Sequence, residues 1–347
     1  LDLGRAEEAF ERAGASRVGF RAGSPELDTA RGAALFRAGR IAESARAYQA
    51  AAAADALLPE PHLRLGSGLI PRPAPPDAVP IPGLQALEAG DLGSAIPLLR
   101  MALARTEADP HLHRMLGEAL SAQRHRDSFL GNHPAAVRLK ALLPDPGPGG
   151  LPLDRLFPAY AGLSASRRTQ VHRAAALWAA HVPGLVRAGA RHDFLARTES
   201  ATDARERARL QGRRTADGRY WDHVRGLGGL HAATGVEALD QAAELGFNTL
   251  AHELTHQVHL FVLGEGARAQ AEALFHAARA QGRCLDYYAA TCVEEYLAQG
   301  AEAFVSLAKR PDGRRTFGHT RFELRARDPA LEEFLARHGS WDPLQCP

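Results

Sequence analysis

Lysine is almost missing from this chain: Lys140 and Lys309 are the only two, and arginine supplies the rest of the 42 basic residues. Beside the abundant alanine, this reads as the compositional bias of a GC-rich genome. Neither sign of charge is in excess, with Lys plus Arg at 42 and Asp plus Glu at 40. That balance excludes the electrostatic footprint expected of a protein whose main partner is nucleic acid or an anionic membrane. No run approaches the roughly 18–20 consecutive apolar residues that a bilayer-spanning helix needs, so no membrane span is expected. Cysteine is limited to Cys284, Cys292 and Cys346, an odd set without CxxC spacing, which excludes a CxxC metal site. A Cys284–Cys292 bridge and three free thiols both fit. The chain opens Leu1-Asp2-Leu3, with neither a methionine nor a signal-like apolar core. A removed N-terminus is therefore expected. The compartment stays open, with a secreted or cell-envelope location favoured.

What is present is the composition of an ordinary globular protein, 45% hydrophobic and 24% charged. A length of 347 residues accommodates two domains. Three early segments share a glycine turn followed by a helical pattern. They are Gly4 to Phe10, Gly39 to Tyr48, and Gly90 to Ala102. The third is the clearest, with apolar residues at Leu92, Ala95, Ile96, Leu99 and Leu103, which is helical period. Gly4 and Gly39 lie 35 residues apart, close to a 34-residue helical-hairpin repeat. Leu116-Gly117 and Leu120 would open the next unit. The pattern resembles a diluted tetratricopeptide array, which implies small residues where helices approach and a surface for a protein partner.

Two proline-rich stretches interrupt the helical pattern. Pro71 to Pro82 is expected to be a loop. Pro144-Asp145-Pro146-Gly147-Pro148-Gly149-Gly150 is the strongest domain boundary. Beyond it, helices are expected at Ser166–Ala180, Leu239–Phe261 and Leu285–Leu307, with short strands on either side of Gly226–Gly229.

The chemistry concentrates in His252-Glu253-Leu254-Thr255-His256, an HExxH motif inside a helical pattern. Spacing of i to i+4 puts both imidazoles on one face, a turn apart, where both can reach one Zn²⁺ at about 2.0–2.1 Å. Glu253 projects about 100° round the helix, so it is placed to take a proton from the attacking water and not to ligate. Leu250, Leu254, Val258 and Phe261 form the apolar face that anchors this helix. A catalytic zinc needs a third protein ligand and one open position. Downstream, Glu295, Gln299 and Glu302 stand at i, i+4 and i+7, a polar stripe on a second helix. Val293, Tyr296, Leu297, Phe304 and Leu307 make its packed side. Cys292 and Ser306 are read as packed residues without nucleophile context.

These pieces resemble the anthrax lethal factor-like peptidases, gluzincins with HExxH and a glutamate-bearing second helix. The matching stretches are Gly246 through His256 and Tyr288 through Phe304, with weaker similarity at Arg225 to Gly229 and Gly318 to Thr320. The resemblance implies His252, His256 and Glu295 as zinc ligands, Glu253 as the base, and Tyr288 as a hydrogen-bond donor to the developing oxyanion. Where the family has a second glutamate one turn after the ligand, this chain has Gln299. That position supports a zinc-bound histidine through its other ring nitrogen, and Glu302 is the candidate to replace it. His319 is drawn in as a substrate contact because the resemblance reaches it.

The expected protein is mainly α. Residues 1–143 form a tetratricopeptide-like helical-hairpin domain, residues 144–150 a linker, and residues 151–347 an α+β gluzincin catalytic domain binding one Zn²⁺. Its expected activity is endopeptidase cleavage of a protein or peptide. The alternative is a repeat scaffold whose zinc-binding domain is weakly active or inactive, with Gln299 as its best support.

Overall fold

The computed structural model describes residues 24–71, 81–106, 109–128, 134, 138, 141–246, 248–306 and 320–344. The segment Gly4 to Phe10, most of the Pro71–Pro82 stretch, Leu307, His319 and Cys346 lie outside these residues. The fold is mainly helical, 63% helix against 5% strand, with one small three-stranded sheet. It divides into two compact units, Leu1–Arg126 with Arg197–Val224, and Asp127–Ala196 with Arg225–Pro347.

The first unit is built on helices α1 (Pro25–Arg37), α2 (Ile41–Ala54), α3 (Pro59–Arg64), α4 (Leu84–Glu88), α5 (Leu92–Leu103) and α6 (Pro110–Asp127). The α1–α2 and α4–α5 connections each turn on a glycine with φ of 74°, Gly39 and Gly90, a conformation that costs glycine least. The expected stripe on α5 is the packed one: Leu92, Ala95, Ile96 and Leu99 are buried against Met115, Leu116, Ala119 and Leu120 of α6. Close helix approach needs small residues here, since a Cβ at Gly32 of α1 would lie 3.0 Å from the Tyr48 ring of α2.

The unit boundaries differ from those expected. Residues 197–224, expected in the second domain, belong to the first unit. Arg197 Nε donates to Glu118 Oε2 at 3.2 Å, Arg114 donates to the Arg197 carbonyl, and Tyr220 N donates to the Gly68 carbonyl at 2.7 Å. Nor is 144–150 a free linker. Asp145 accepts from Thr169 Oγ1 at 2.6 Å and lies 2.8 Å from His172 Nδ1, while Arg173 Nε donates to the Pro144 carbonyl at 3.0 Å. The segment is fastened to helix α7 (Ala165–Leu177) of the second unit.

A buried histidine pair gives the first unit a pH dependence. His62 on α3 and His113 on α6 face each other with Nδ1 atoms 2.9 Å apart, and they are 1% and 4% exposed. Burial first, and then His113, push His62 down to about 4. A folded-state value below the unfolded one, near 6.5, means that only the unfolded chain takes up the proton as pH falls. The contribution is complete above about pH 6.5 and is lost between there and about pH 4, at up to roughly 1.4 kcal/mol per pH unit. Chemical denaturation at pH 7 and pH 4.5 should show this loss in the parent and a smaller one in His62→Gln. Equal losses in both proteins would refute it.

The second unit continues with α8 (Val182–Arg187), β1 (Arg191–Leu195), β2 (Gly226–Leu227), β3 (His231–Gly235), α9 (Val236–Leu245), α10 (Thr249–Phe261), α11 (Glu265–Ala280), α12 (Val293–Phe304), α13 (Arg321–Arg327) and α14 (Pro329–His338). The sheet order is β1-β3-β2, with β1 parallel and β2 antiparallel to β3. One apolar core joins Trp178, Leu250, Leu254, Val258, Tyr296 and Phe304, among others.

Two expected helices are shorter than the periodicity suggested. The helix expected over Leu239–Phe261 is α9 and α10, broken where Gly246 takes φ of 75° and the Asn248 side chain caps the next helix by accepting from Ala251 N. The helix expected from Leu285 begins only at Val293. Before it, Asp286 accepts from Ala289 N at 2.7 Å and Thr291 Oγ1 donates to the Tyr288 carbonyl at 2.6 Å. Tyr288 therefore sits on a turn.

Candidate metal centre

Helix α10 is fixed on several sides before any metal is considered. Leu250, Ala251, Leu254 and Val258 have no exposed surface. Beside this face Trp178 Nε1 donates to Thr255 Oγ1 at 2.8 Å, and Thr255 donates on to the Ala251 carbonyl at 2.7 Å. Gln257 Nε2 donates to the Arg191 and Leu230 carbonyls at 3.2 and 3.1 Å, so its Oε1 must accept, and it lies 3.0 Å from His192 Nδ1. His192 thus carries its proton on Nδ1 and accepts at Nε2 from Thr234 Oγ1, 2.8 Å away. This network ties the helix to β1 and β3, and with them fixes the rotation that aims His252 and His256.

Both histidines aim at one point. Their Nε2 atoms are 3.1 Å apart, and Glu295 Oε2 lies 3.1 Å from His252 Nε2 and 3.6 Å from His256 Nε2. Tetrahedral coordination with bonds of about 2.0–2.1 Å places ligand atoms roughly 3.3–3.4 Å apart. The triangle matches that size. Glu295 Oε2 is buried, with both imidazole Nε2 atoms beside it. His252, His256 and Glu295 therefore form a group that could hold a metal ion, as two nitrogens and one oxygen. Glu295 supplies this ligand atom and the adjacent Glu294 does not.

The electrostatics are those of opposed charges in a buried space. Burial works against the Glu295 carboxylate, but His252 and His256 outweigh it and hold the group well below the usual carboxylate range. Burial likewise opposes protonation of His252, yet Glu295, Glu253 and Glu302 raise it to about 8. Glu253 is 7% exposed, and burial pushes its carboxyl up. A carboxylate raised in this way is a better proton acceptor than an exposed one.

The remaining expected residues separate. The Tyr288 hydroxyl donates to Glu295 Oε1 at 2.9 Å, and its ring lies 19° from parallel to His252. The structure thus brings it to the edge of the metal group. Gln299 was expected to receive a bond from a ligand histidine; instead its Oε1 is buried without a hydrogen-bond partner. Glu302, 1% exposed, lies 3.9 Å from His252 Nδ1, within reach of a charge interaction but too far for a hydrogen bond. In the polar stripe of α12, Gln299 and Glu302 are buried and Glu295 is partly exposed. Cys284 and Cys292 are both free thiols.

Sequence reasoning assigns no site role to Gln257, Gly226 or Gly228, and places Trp178 only on the packed side of a helix. A Cβ at Gly226 would lie 2.3 Å from Glu253 Oε1, and one at Gly228 would lie 3.2 Å from His256 Cβ. The signal was the run Arg225-Gly226-Leu227-Gly228-Gly229 itself, which reads locally as a turn.

Compared with known proteins, the chain matches no family model, no curated protein sequence and no solved structure. Among the described residues no helix is long and apolar enough to cross a membrane.

Proposed function

We propose that this chain is a zinc-dependent endopeptidase of the anthrax lethal factor-like gluzincin type, with one Zn²⁺ held by His252, His256 and Glu295. The observation that carries the reading is the convergence of those three ligand atoms at tetrahedral spacing, with Glu253 on the same helix. Zinc in such a site supplies Lewis-acid polarisation of a carbonyl and brings the pKa of water towards 7. Glu253 takes the proton from the attacking water and returns it to the leaving amine nitrogen, a task its buried, raised carboxyl suits. Tyr288, whose hydroxyl donates to Glu295 Oε1, is the donor assigned to the developing oxyanion. Glu302 stands behind the other nitrogen of His252 at 3.9 Å and supports it as a nearby negative charge.

A peptide substrate suits the surroundings of the site. β2 is an edge strand of the sheet; its Gly226 lies beside Glu253, and Gly228, just past it, lies beside His256. An extended peptide can add to such an edge through main-chain hydrogen bonds. The helical hairpins of the first unit are read as a tetratricopeptide-like array that binds a protein partner or substrate.

One observation favours the rival, a zinc-binding scaffold with little activity: the unbonded Oε1 of Gln299 in the support layer of the site. Digestion of casein and of a peptide library, with and without a chelator, separates the two. Cleavage that the chelator abolishes and added zinc restores is the expected result. A zinc-loaded protein that cleaves nothing in the library would leave the scaffold.

A further inference from the structure

Gly226 has no conformational need to be glycine. It is not among the residues with positive φ, and it pairs in ordinary antiparallel register with Thr234. Space is the constraint. A Cβ there would lie 2.3 Å from Glu253 Oε1, 3.2 Å from Glu253 Cδ and 3.4 Å from Thr249 Cγ2. The first of these contacts is closer than non-bonded atoms approach, and it falls on the end of a flexible side chain. Alanine at 226 would therefore be accommodated by turning the carboxylate aside, with little change to the backbone.

The backbone beside it is held firmly. Arg225 donates from Nε to Glu237 Oε1 at 2.6 Å and from Nη2 to Glu237 Oε2 at 2.9 Å. The same Nη2 reaches the Leu195 and Ala196 carbonyls, both at 2.9 Å. The Arg225 carbonyl accepts from Gly235 N at 2.7 Å. Both members of the ion pair are largely buried, at 13% and 6% side-chain exposure, so this clamp is well shielded from solvent. The strand cannot easily retreat from Glu253.

We propose that Gly226 is a positioning residue for Glu253: its missing side chain leaves the room that the carboxylate occupies, and Arg225 holds that stretch of backbone at the required distance. The inference rests on the reading of Glu253 as the base, but its geometry can be tested apart from that reading.

The test is Gly226→Ala in the zinc-loaded full chain, alone and combined with Glu253→Ala. Gly226→Ala should keep about one zinc per chain and melt within about 2–4 °C of the parent. Its kcat should fall at least tenfold while KM changes less than about twofold, the pattern of a displaced base and not of lost substrate binding. In the Glu253→Ala background the melting cost of Gly226→Ala should vanish, because the atoms it strikes are gone. Parental kcat in Gly226→Ala would overturn the proposal, as would loss of zinc or a melting cost that persists without the Glu253 side chain. Should the parent cleave no peptide, the peptidase reading falls by itself. The melting cycle then decides whether Gly226 sets the place of Glu253.

Discussion

Glu253→Gln is expected to bind zinc as the parent does, melt as the parent does, and cleave peptides at least about a hundredfold more slowly. Glutamine keeps the shape and hydrogen-bonding capacity of the side chain but cannot take a proton at pH 7. A positioned general base contributes about 10²–10⁴-fold. Glu253 is not one of the three ligand residues, so the metal has no reason to leave. Burial raises the carboxyl, and exchange for a neutral amide relieves that cost, so stability should not fall. Stopped-flow or fluorogenic-peptide assays on metal-matched samples measure the ratio of rates. Tyr288→Phe should follow the same pattern with a smaller loss, since one donor among several is removed. Cleavage by Glu253→Gln at the parental rate would end the proposed mechanism.

The second large effect falls on the metal. Glu295→Ala should lose zinc and with it all chelator-sensitive cleavage, whereas Glu294→Ala should keep both. The neighbours are separated by geometry: Glu295 Oε2 lies 3.1 Å from His252 Nε2, and only Glu295 joins the ligand group. Metal that binds the folded state alone stabilises it by about 2.7 kcal/mol at a hundredfold excess over Kd. Zinc should therefore raise the melting temperature of the parent and of Glu294→Ala, and leave that of Glu295→Ala unmoved. If Glu294→Ala loses zinc and Glu295→Ala retains it, the ligand register is off by one residue.

The parts of this site that were legible in the sequence are the local ones. One helix fixes the distance between His252 and His256, so i and i+4 spacing suffices to pair them. The stripe Glu295, Gln299 and Glu302 was legible for the same reason. The burial of Gln299 and Glu302 was not, because it depends on α10 lying across the stripe, a packing that no local pattern encodes. The break between α9 and α10 was written in Gly246 and Asn248, both ordinary helix-end residues. Apolar periodicity continued through them and concealed it. The place of Glu302 one turn beyond Gln299 makes it the candidate behind His252, but its 3.9 Å distance from Nδ1 depends on how α10 and α12 pack. Assignment of 197–224 to the first unit was out of reach, since it rests on Arg197 meeting Glu118 across 79 residues. The anchoring of α10 through His192 and Gln257 is non-local in the same way, spanning 65 residues.

The most direct test is metal analysis of the full chain, purified without a histidine tag, beside His256→Ala. The parent should carry about one zinc per chain, and His256→Ala should carry essentially none, because two of three ligands cannot hold the ion in a site built for four-coordination. A parent without bound metal after zinc loading and buffer exchange, or His256→Ala with full zinc stoichiometry, would contradict the site.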